Sequence, residues 1–249
     1  AMSIVAAQWN RFASEANFRL AISPDGIRVR RGLLSTRAQT IPPRRIHAIQ
    51  VQQPFFWRFL GWYRVSILQA GYGAKDTDSN QQQSSHILIP VGTRQDVEFA
   101  LWMVFNDLGV DDVPSFIEAA LAGKGSGQGF VQMSPRARCL DPFAYHRRAR
   151  AITRTTFVIR DGWLNWKSLW APIARLQSVR VQSGPLERKL GVASLHMDVV
   201  PGAFKMIAEH QDASQASADI YTLLIEGQAN RASEPPEKWM LRVENGMHS

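Results

Sequence analysis

Arginine clusters are the first feature of this sequence with the capacity for binding chemistry. The chain carries 29 Lys and Arg against 21 Asp and Glu, a formal charge of +8. Arg28 and Arg30 alternate with apolar residues, so they share one face of an expected strand. Basic residues near an anionic bilayer contribute about 1 kcal/mol each to binding. The candidate contacts for a membrane or another anion are Arg28, Arg30, Arg31, Arg44, Arg45, Arg147 and Arg148. The alternative is a solvated positive face without a specific ligand.

A second feature is an aromatic segment, in which six of the nine residues from Phe55 to Tyr63 are Phe, Trp or Tyr. Phe55, Phe56 and Trp57 are the candidate interface residues. Such rings serve core or interdomain packing, a protein interface, or insertion into the lipid headgroup region. Aromatic residues mixed with basic ones are also typical of nucleic-acid binding. A sequence repeat, described below, explains the mixture here, and we expect no nucleic-acid partner.

Catalytic and metal chemistry lack a supporting pattern. The six histidines show no helical metal-ligand spacing. A single cysteine, Cys139, excludes an internal disulfide and any site that needs several thiolates. No nucleophile, base and orienting group form a recognisable motif. The sequence therefore predicts a protein that binds no cofactor or metal and is not an enzyme.

An internal repeat organises the chain. Residues 28–66 align without gaps on residues 158–196, and ten of these 39 positions are identical. The identical pairs include Arg45/Arg175, Arg58/Arg188 and Gly61/Gly191. We refer to the two halves of this repeat as copy one and copy two. A period of 130 residues is too long for a solenoid and indicates two copies of one domain.

Each copy has the pattern of several antiparallel strands followed by one helix. Alternating apolar and polar residues interrupted by glycine predict hairpins. Gly61 and Gly191 are expected in turns. Thr93 with Asp96 predicts the start of the helix of copy one, and Gly109 its end. The helix of copy two is expected to end at Gly227.

Domain boundaries follow from the repeat and from composition. Residues 1–17 form a lead-in and 18–110 the first domain. Residues 111–142 are a linker, with a short helix and a flexible glycine-rich hinge, Gly123–Gly129. Residues 143–227 form the second domain, and 228–249 a polar tail.

Two segments resemble the bacterial pleckstrin-homology-like (PH-like) domain family. Pro172-x-x-Arg175-Leu-Gln-Ser-Val, followed by Gly184-Pro-Leu-Glu-Arg-Lys-Leu-Gly191, is similar to the family pattern I/V-P-x-x-R-I-Q-S-V followed by G-P-L-Q-R-x-L-G. The segment from Ile41 to Gly61 looks like the same motif, although Phe55-Phe56-Trp57 replaces the usual Leu-Gln stretch. The resemblance implies a mainly β fold with helices. It would consist of two tandem PH-like domains, each a bent, partly open antiparallel β-barrel capped by a C-terminal helix.

The resemblance also implies a setting, because such tandem copies occur in actinobacterial integral membrane proteins of unknown function. We therefore expect a non-catalytic interaction or assembly module in the cytoplasmic part of a cell-membrane protein, with transmembrane helices preceding residue 1. It would dock protein partners at the membrane surface, and a homo-oligomer is compatible with this role. The alternative is an anionic-lipid or small-molecule binding domain that uses the arginine clusters and the open barrel end.

Overall fold

The structure is a computed structural model that describes residues 19–23, 26–31, 37–41, 45–69, 87–105, 107–200 and 204–233. Side chains are described from Arg45 to Arg231 within these ranges, and the first three ranges are described by their backbone alone. The lead-in and the end of the tail, residues 1–17 and 234–249, lie outside the described residues.

Thirteen strands in the described residues form three antiparallel sheets. The first sheet holds β1 (Arg19–Ser23), β2 (Gly26–Arg31) and β3 (Arg37–Ile41). The central sheet has seven strands, in the order β6-β5-β4-β10-β9-β8-β7. They are β4 (Ile46–Gln53), β5 (Tyr63–Gln69), β6 (Ile87–Gly92), β7 (Phe130–Gln132), β8 (Ala149–Ile152), β9 (Thr156–Asp161) and β10 (Trp166–Pro172). The third sheet holds β11 (Ser178–Gln182), β12 (Val192–Asp198) and β13 (Met206–Asp212).

Four α-helices and three 3₁₀ turns accompany these sheets in the described part of the chain. The helices are α1 (Arg94–Val104), α2 (Val113–Leu121), α3 (Pro185–Leu190) and α4 (Ala213–Ser233). The 3₁₀ turns are Phe55–Leu60, Pro135–Cys139 and Ile173–Arg175. The mainly β fold with helices and open antiparallel sheets is confirmed.

The repeat is confirmed element by element. Strand β2 and strand β9 occupy positions related by the shift of 130 residues, and so do the 3₁₀ turn Phe55–Leu60 and helix α3. Both of these last elements end at a glycine in the left-handed region, with φ of 65° at Gly61 and 66° at Gly191. Side chains with a Cβ rarely adopt this conformation, which explains why glycine stands at both positions.

The two copies share their central sheet, an arrangement that the repeat did not indicate. Strand β4 of copy one pairs antiparallel with β10 of copy two, with Val51 opposite Ser168 and Ile49 opposite Trp170. The second half of copy one and the first half of copy two therefore form one sheet. The first sheet, which belongs to copy one, and the third sheet, which belongs to copy two, are not part of this shared sheet.

The hydrophobic cores are shared in the same way. On one face of the central sheet, Ile49 and Val65 of copy one pack with Val158 and Trp170 of copy two beneath α1 and α2. On the other face, Ala48 and Leu68 join Phe157, Leu169 and the third sheet, with Leu223 of α4. Because both clusters contain residues of both copies, we expect the described core to unfold as one unit.

The helices begin as the sequence predicts but end elsewhere. Thr93 and Asp96 form the expected capping box, and the backbone N–H of Thr93 donates to Asp96 Oδ2 over 2.7 Å. Helix α1 ends at Val104 rather than at Gly109, because the backbone of Phe105 turns to an extended conformation. Helix α4 continues through Gly227 to Ser233, so the expectation that the helix stops and the tail begins there was wrong.

The helix between the copies is packed, and so is Gly123, the first residue of the expected hinge Gly123–Gly129. Phe116, Ile117, Ala120 and Leu121 of α2 are buried in the shared core. A Cβ added to Gly123 would lie 2.4 Å from the carbonyl oxygen of Ala119. This glycine therefore permits a close approach between backbone segments rather than bending.

Candidate functional site

Three of the candidate arginines lie on strand β2, whose backbone register places them on the first sheet. Arg30 pairs with Arg19 of β1, and Arg28 with Thr40 of β3. Because directly opposed residues share a face, Arg19, Arg28 and Arg30 occupy one face of this sheet. The strands β1 to β3 contain five arginines and no acidic residue. This sheet is the most basic one in the described part of the chain. Arg31 occupies the opposite face, paired with Arg37. Arg44 lies outside the described residues, and Arg45 is exposed.

Arg147 is buried, which removes it from the candidate anion-contact surface. Its guanidinium donates to the carbonyl oxygens of Leu121 at 2.7 Å, Gly123 at 3.1 Å and Asp161 at 3.2 Å. Burial, together with the charges of Arg160 and Arg58, lowers the pKa of Arg147 to about 9, while Asp161 opposes this shift. The group therefore stays charged at neutral pH, and it holds the α2 segment against the central sheet.

Arg148 is also buried and forms ion pairs with three carboxylates. It forms ion pairs with Asp161 and Asp141 at 2.9 Å and with Glu209 at 2.8 Å. Burial disfavours the charged form, but these three carboxylates outweigh it and raise the pKa of Arg148. The predicted surface role of Arg148 therefore does not hold, because its charge is compensated inside the protein.

Arg160 is a structural arginine that the sequence analysis did not select. It is 1 % exposed and donates to the carbonyl oxygens of Arg147 at 2.8 Å and Ala119 at 2.7 Å, and to that of Gly125. Burial lowers its pKa to about 10. One signal was available in the sequence, since Arg160 directly follows the apolar run Phe157-Val158-Ile159 of a predicted strand.

The predicted interface aromatics form part of an exposed apolar surface. Phe56 is 76 % exposed, Phe59 77 % and Phe55 38 %, so these three rings are not part of the core. Trp57 is half-buried beneath Trp62 and the guanidinium of Arg64. The exposed residues continue into copy two at Phe143 and at the turn between β9 and β10. We name this surface the junction patch, and its residues are Phe55, Phe56, Phe59, Leu60, Phe143, Trp163 and Leu164.

Arg58 connects the two sides of the junction patch. Its Nη2 atom donates to the carbonyl oxygen of Trp163 over 3.0 Å and also to that of Leu164. Its guanidinium carbon lies 4.0 Å from the ring centroid of Trp166 and 5.3 Å from that of Phe55. Burial lowers the pKa of Arg58. This side chain therefore fastens the 3₁₀ turn of copy one to the hairpin of copy two.

The corresponding surface of copy two has a different chemistry. Glu187 stands where copy one has Trp57, and it accepts hydrogen bonds from the Gly184 backbone at 2.7 Å and from Ser194 Oγ at 2.8 Å. His210 Nδ1 lies 2.9 Å from the same carboxylate. The two hydrogen bonds and the His210 ring lower the pKa of Glu187 against the effect of burial. Lys189 replaces Phe59. The turn therefore forms without aromatic residues, and the fold does not require the exposed rings of copy one.

The sequence analysis did not select Phe143, Trp163 and Leu164 for the junction patch. Trp163 and Leu164 directly follow Gly162, in the turn of a predicted hairpin, where polar residues are usual. Two large apolar residues at such a turn were the available signal. Their proximity to Phe55 depends on the pairing of β4 with β10, which the sequence did not show.

None of the helices in the described ranges is long and apolar enough to cross a membrane. Among the same residues, no cluster of three or more His, Cys, Asp or Glu side chains is positioned to hold a metal ion.

Comparison with known proteins identifies the family. None of the curated proteins matches the chain significantly. The model of the family described as bacterial PH domain matches two regions, residues 1–100 and 138–220, which together cover most of the chain. These regions contain the two copies of the repeat, as tandem PH-like domains require. The chain therefore belongs to the bacterial PH domain family.

Proposed function

We propose that this chain is a non-catalytic docking module that binds a protein partner through the junction patch at the cytoplasmic face of a bacterial membrane. Domains of the PH-like type are generally interaction or lipid-binding modules and not catalysts. The membrane setting is supported by the resemblance of the tandem motifs to bacterial membrane proteins and by the basic first sheet.

The exposure of Phe56 and Phe59 carries this proposal. Burial of one such ring against a partner contributes about 1.5–3 kcal/mol. Aromatic rings held on a rigid turn also lose little conformational entropy on binding. The equivalent turn in copy two carries Leu186 and Lys189 at these positions, so the rings are specific to copy one. Contiguous apolar surface of this kind marks an interaction site.

Site-specific photo-crosslinking tests this proposal. A photoreactive phenylalanine analogue replaces Phe59 in the full chain, in the cells that make it, and crosslinked species are identified by mass spectrometry. Because the ring faces the partner, we expect one discrete crosslinked protein other than this chain. The Phe56→Ser substitution in the same chain should reduce its yield at least about tenfold, the equivalent of ~1.4 kcal/mol.

The matched control is the same analogue at Lys189, the position that corresponds to Phe59 in copy two. We expect no discrete product from this site. Equal products from the two sites, or a Phe59 product that Phe56→Ser leaves unchanged, would show that the junction patch is not the docking surface.

The first sheet supports a second candidate function, the binding of anionic lipid. Its strands contain five arginines and no acidic residue, and the register places Arg19, Arg28 and Arg30 on one face. Cosedimentation with vesicles of phosphatidylglycerol and phosphatidylcholine tests this function. We expect binding that weakens with salt and falls at least about 30-fold in the double variant Arg28→Glu/Arg30→Glu, since each arginine contributes about 1 kcal/mol.

The control for the lipid experiment changes the net charge by the same amount elsewhere. Arg138 and Lys189 are exposed and lie outside the first sheet, and the double variant Arg138→Glu/Lys189→Glu should keep most of the vesicle binding. If both double variants lose binding equally, net charge rather than the first sheet determines the attraction.

A further inference from the structure

Strands β3 and β11 each have one edge that pairs with no other described strand. Each of them corresponds to a strand of the other copy, and these two corresponding strands pair with each other. Within the described strands, β11 pairs with β12 alone and β3 with β2 alone. The repeat relates β11 to β4 and β3 to β10, and β4 and β10 pair with each other at the centre. We propose that the chain assembles head to tail with further copies of itself, with β11 of one molecule paired to β3 of the next.

Strand β11 is more exposed to solvent than the corresponding strand β4. In β4, Gln50 is 8 % exposed and Val51 2 % exposed, because β10 and both cores cover them. The corresponding residues of β11, Arg180 and Val181, are exposed and half-buried respectively. The same strand of the same domain is therefore covered in copy one and uncovered in copy two. An uncovered edge offers a row of backbone donors and acceptors to another strand.

Two arginines that recur in both copies strengthen this inference. We call the contact between β4 of copy one and β10 of copy two the internal joint. There, Arg175 donates to the carbonyl oxygen of Ile46, and Arg58 donates to those of Trp163 and Leu164. Each copy carries an arginine at both positions. The internal joint uses Arg58 of copy one and Arg175 of copy two. The unused equivalents are Arg45, at the end with β3, and Arg188, at the end with β11, and both are exposed.

Arg188 has the position that a second joint needs. It lies in the last turn of α3, as Arg58 lies in the last turn of the 3₁₀ element of copy one, and each is followed three residues later by a left-handed glycine. Its guanidinium makes no hydrogen bond or ion pair within the described residues. By the repeat, we expect its acceptors in the next molecule beside the N-terminal end of β3, as the acceptors of Arg58 lie just before β10.

This contact adds molecules in series, as an open chain or a closed ring. The internal joint brings together two different elements, β4 of one copy and β10 of the other, so the contact is heterologous. A heterologous contact leaves one free end on each partner and adds molecules in series until a ring closes. We expect each joint between molecules to be weaker than the internal one, because β3 is Arg-Ala-Gln-Thr-Ile where β10 carries Trp166 and Trp170.

The internal register predicts the register between molecules. Gln50 lies opposite Leu169 at the internal joint, so the repeat places Arg180 opposite Gln39 of the next molecule. Opposed residues of antiparallel strands have Cα atoms about 4.5–5.5 Å apart, close enough for a disulfide. The native Cys139 is exposed and must first be replaced by serine.

Mixing two single-cysteine proteins tests the proposal. One full-length Cys139→Ser protein carries Gln39→Cys and the other, with a size tag, carries Arg180→Cys. Under a mild oxidising buffer we expect the mixed disulfide to form at least about tenfold faster than with Thr40→Cys, which lies on the opposite face of β3. Equal rates for Gln39→Cys and Thr40→Cys would overturn the proposed pairing.

Sedimentation of the unmodified chain gives an independent readout. We expect a series of oligomers that grows with concentration, and a joint at least about tenfold weaker in Arg188→Ala, since a hydrogen bond from a charged donor is lost. Arg138→Ala, an exposed arginine away from both edges, should leave the series unchanged. A chain that remains monomeric at every concentration and forms no Gln39–Arg180 disulfide is incompatible with the head-to-tail joint.

Discussion

Replacement of Trp170 by alanine is expected to lower the free energy of unfolding by about 3–5 kcal/mol, because a fully buried ring is removed and a cavity remains. Trp170 is 0 % exposed and packs 5.8 Å from Phe116 and 6.4 Å from Phe105, measured between ring centroids. Its Nε1 atom donates to Ser168 Oγ over 3.0 Å, and this hydrogen bond is lost too. Urea unfolding followed by circular dichroism measures the effect.

Trp170 also tests whether the two copies fold together. It belongs to copy two, yet it packs in the core beneath α1 of copy one and α2 of the segment between the copies. We therefore expect the variant to unfold in a single transition at lower urea. The control is Trp163→Ala, at a ring that is 58 % exposed, which should cost less than about 1 kcal/mol. Two separate transitions, with only one shifted by Trp170→Ala, would show that the copies have independent cores.

Replacement of Arg160 by methionine is the second change with a large expected effect. Methionine preserves much of the volume but leaves the buried carbonyl oxygens of Arg147, Ala119 and Gly125 without their donor. Each unsatisfied buried acceptor costs about 1–3 kcal/mol, and removal of the buried charge offsets part of the sum. We expect a net loss of about 3 kcal/mol in the free energy of unfolding.

An exposed arginine provides the matched control for Arg160. Arg154 is 63 % exposed and pairs over 3.1 Å with Asp111, which is 95 % exposed. Surface ion pairs of this kind contribute about 0–1 kcal/mol, so Arg154→Met should change stability little. Both variants are compared in the same urea titration. If Arg160→Met is as stable as Arg154→Met, the three carbonyl oxygens find other donors. The hydrogen bonds of Arg160 would then not be needed to stabilise the fold.

These expectations differ from those that sequence alone supports for arginine. The sequence grouped Arg147 and Arg148 with Arg28 and Arg30 because a cluster of cations is typical of a surface. Backbone carbonyls hold Arg147, and the carboxylates of Asp161 and Glu209, together with that of Asp141, hold Arg148. Long-range contacts of this kind leave no local pattern, so the buried and exposed arginines could not be separated before the fold was known.

The aromatic segment shows a similar limit. Its composition predicted either packing or an interface, and the exposure of Phe56 and Phe59 favours an interface. Three of the seven residues of the junction patch come from copy two, namely Phe143, Trp163 and Leu164. The pairing of β4 with β10 brings these residues to the same side of the molecule, and Arg58 contacts both Phe55 and the backbone of Trp163.

The sequence by itself determined the duplicated domain, the glycine turns at Gly61 and Gly191, and the cap formed by Thr93 and Asp96. Each of these depends on local backbone preference or on a repeated pattern, and both are encoded within a few residues. Only the tertiary structure decided that β4 pairs with β10 and that both copies contribute to each core. The physical reason is that strand edges of one domain type are chemically alike, so the choice among partners depends on the packing of the whole chain.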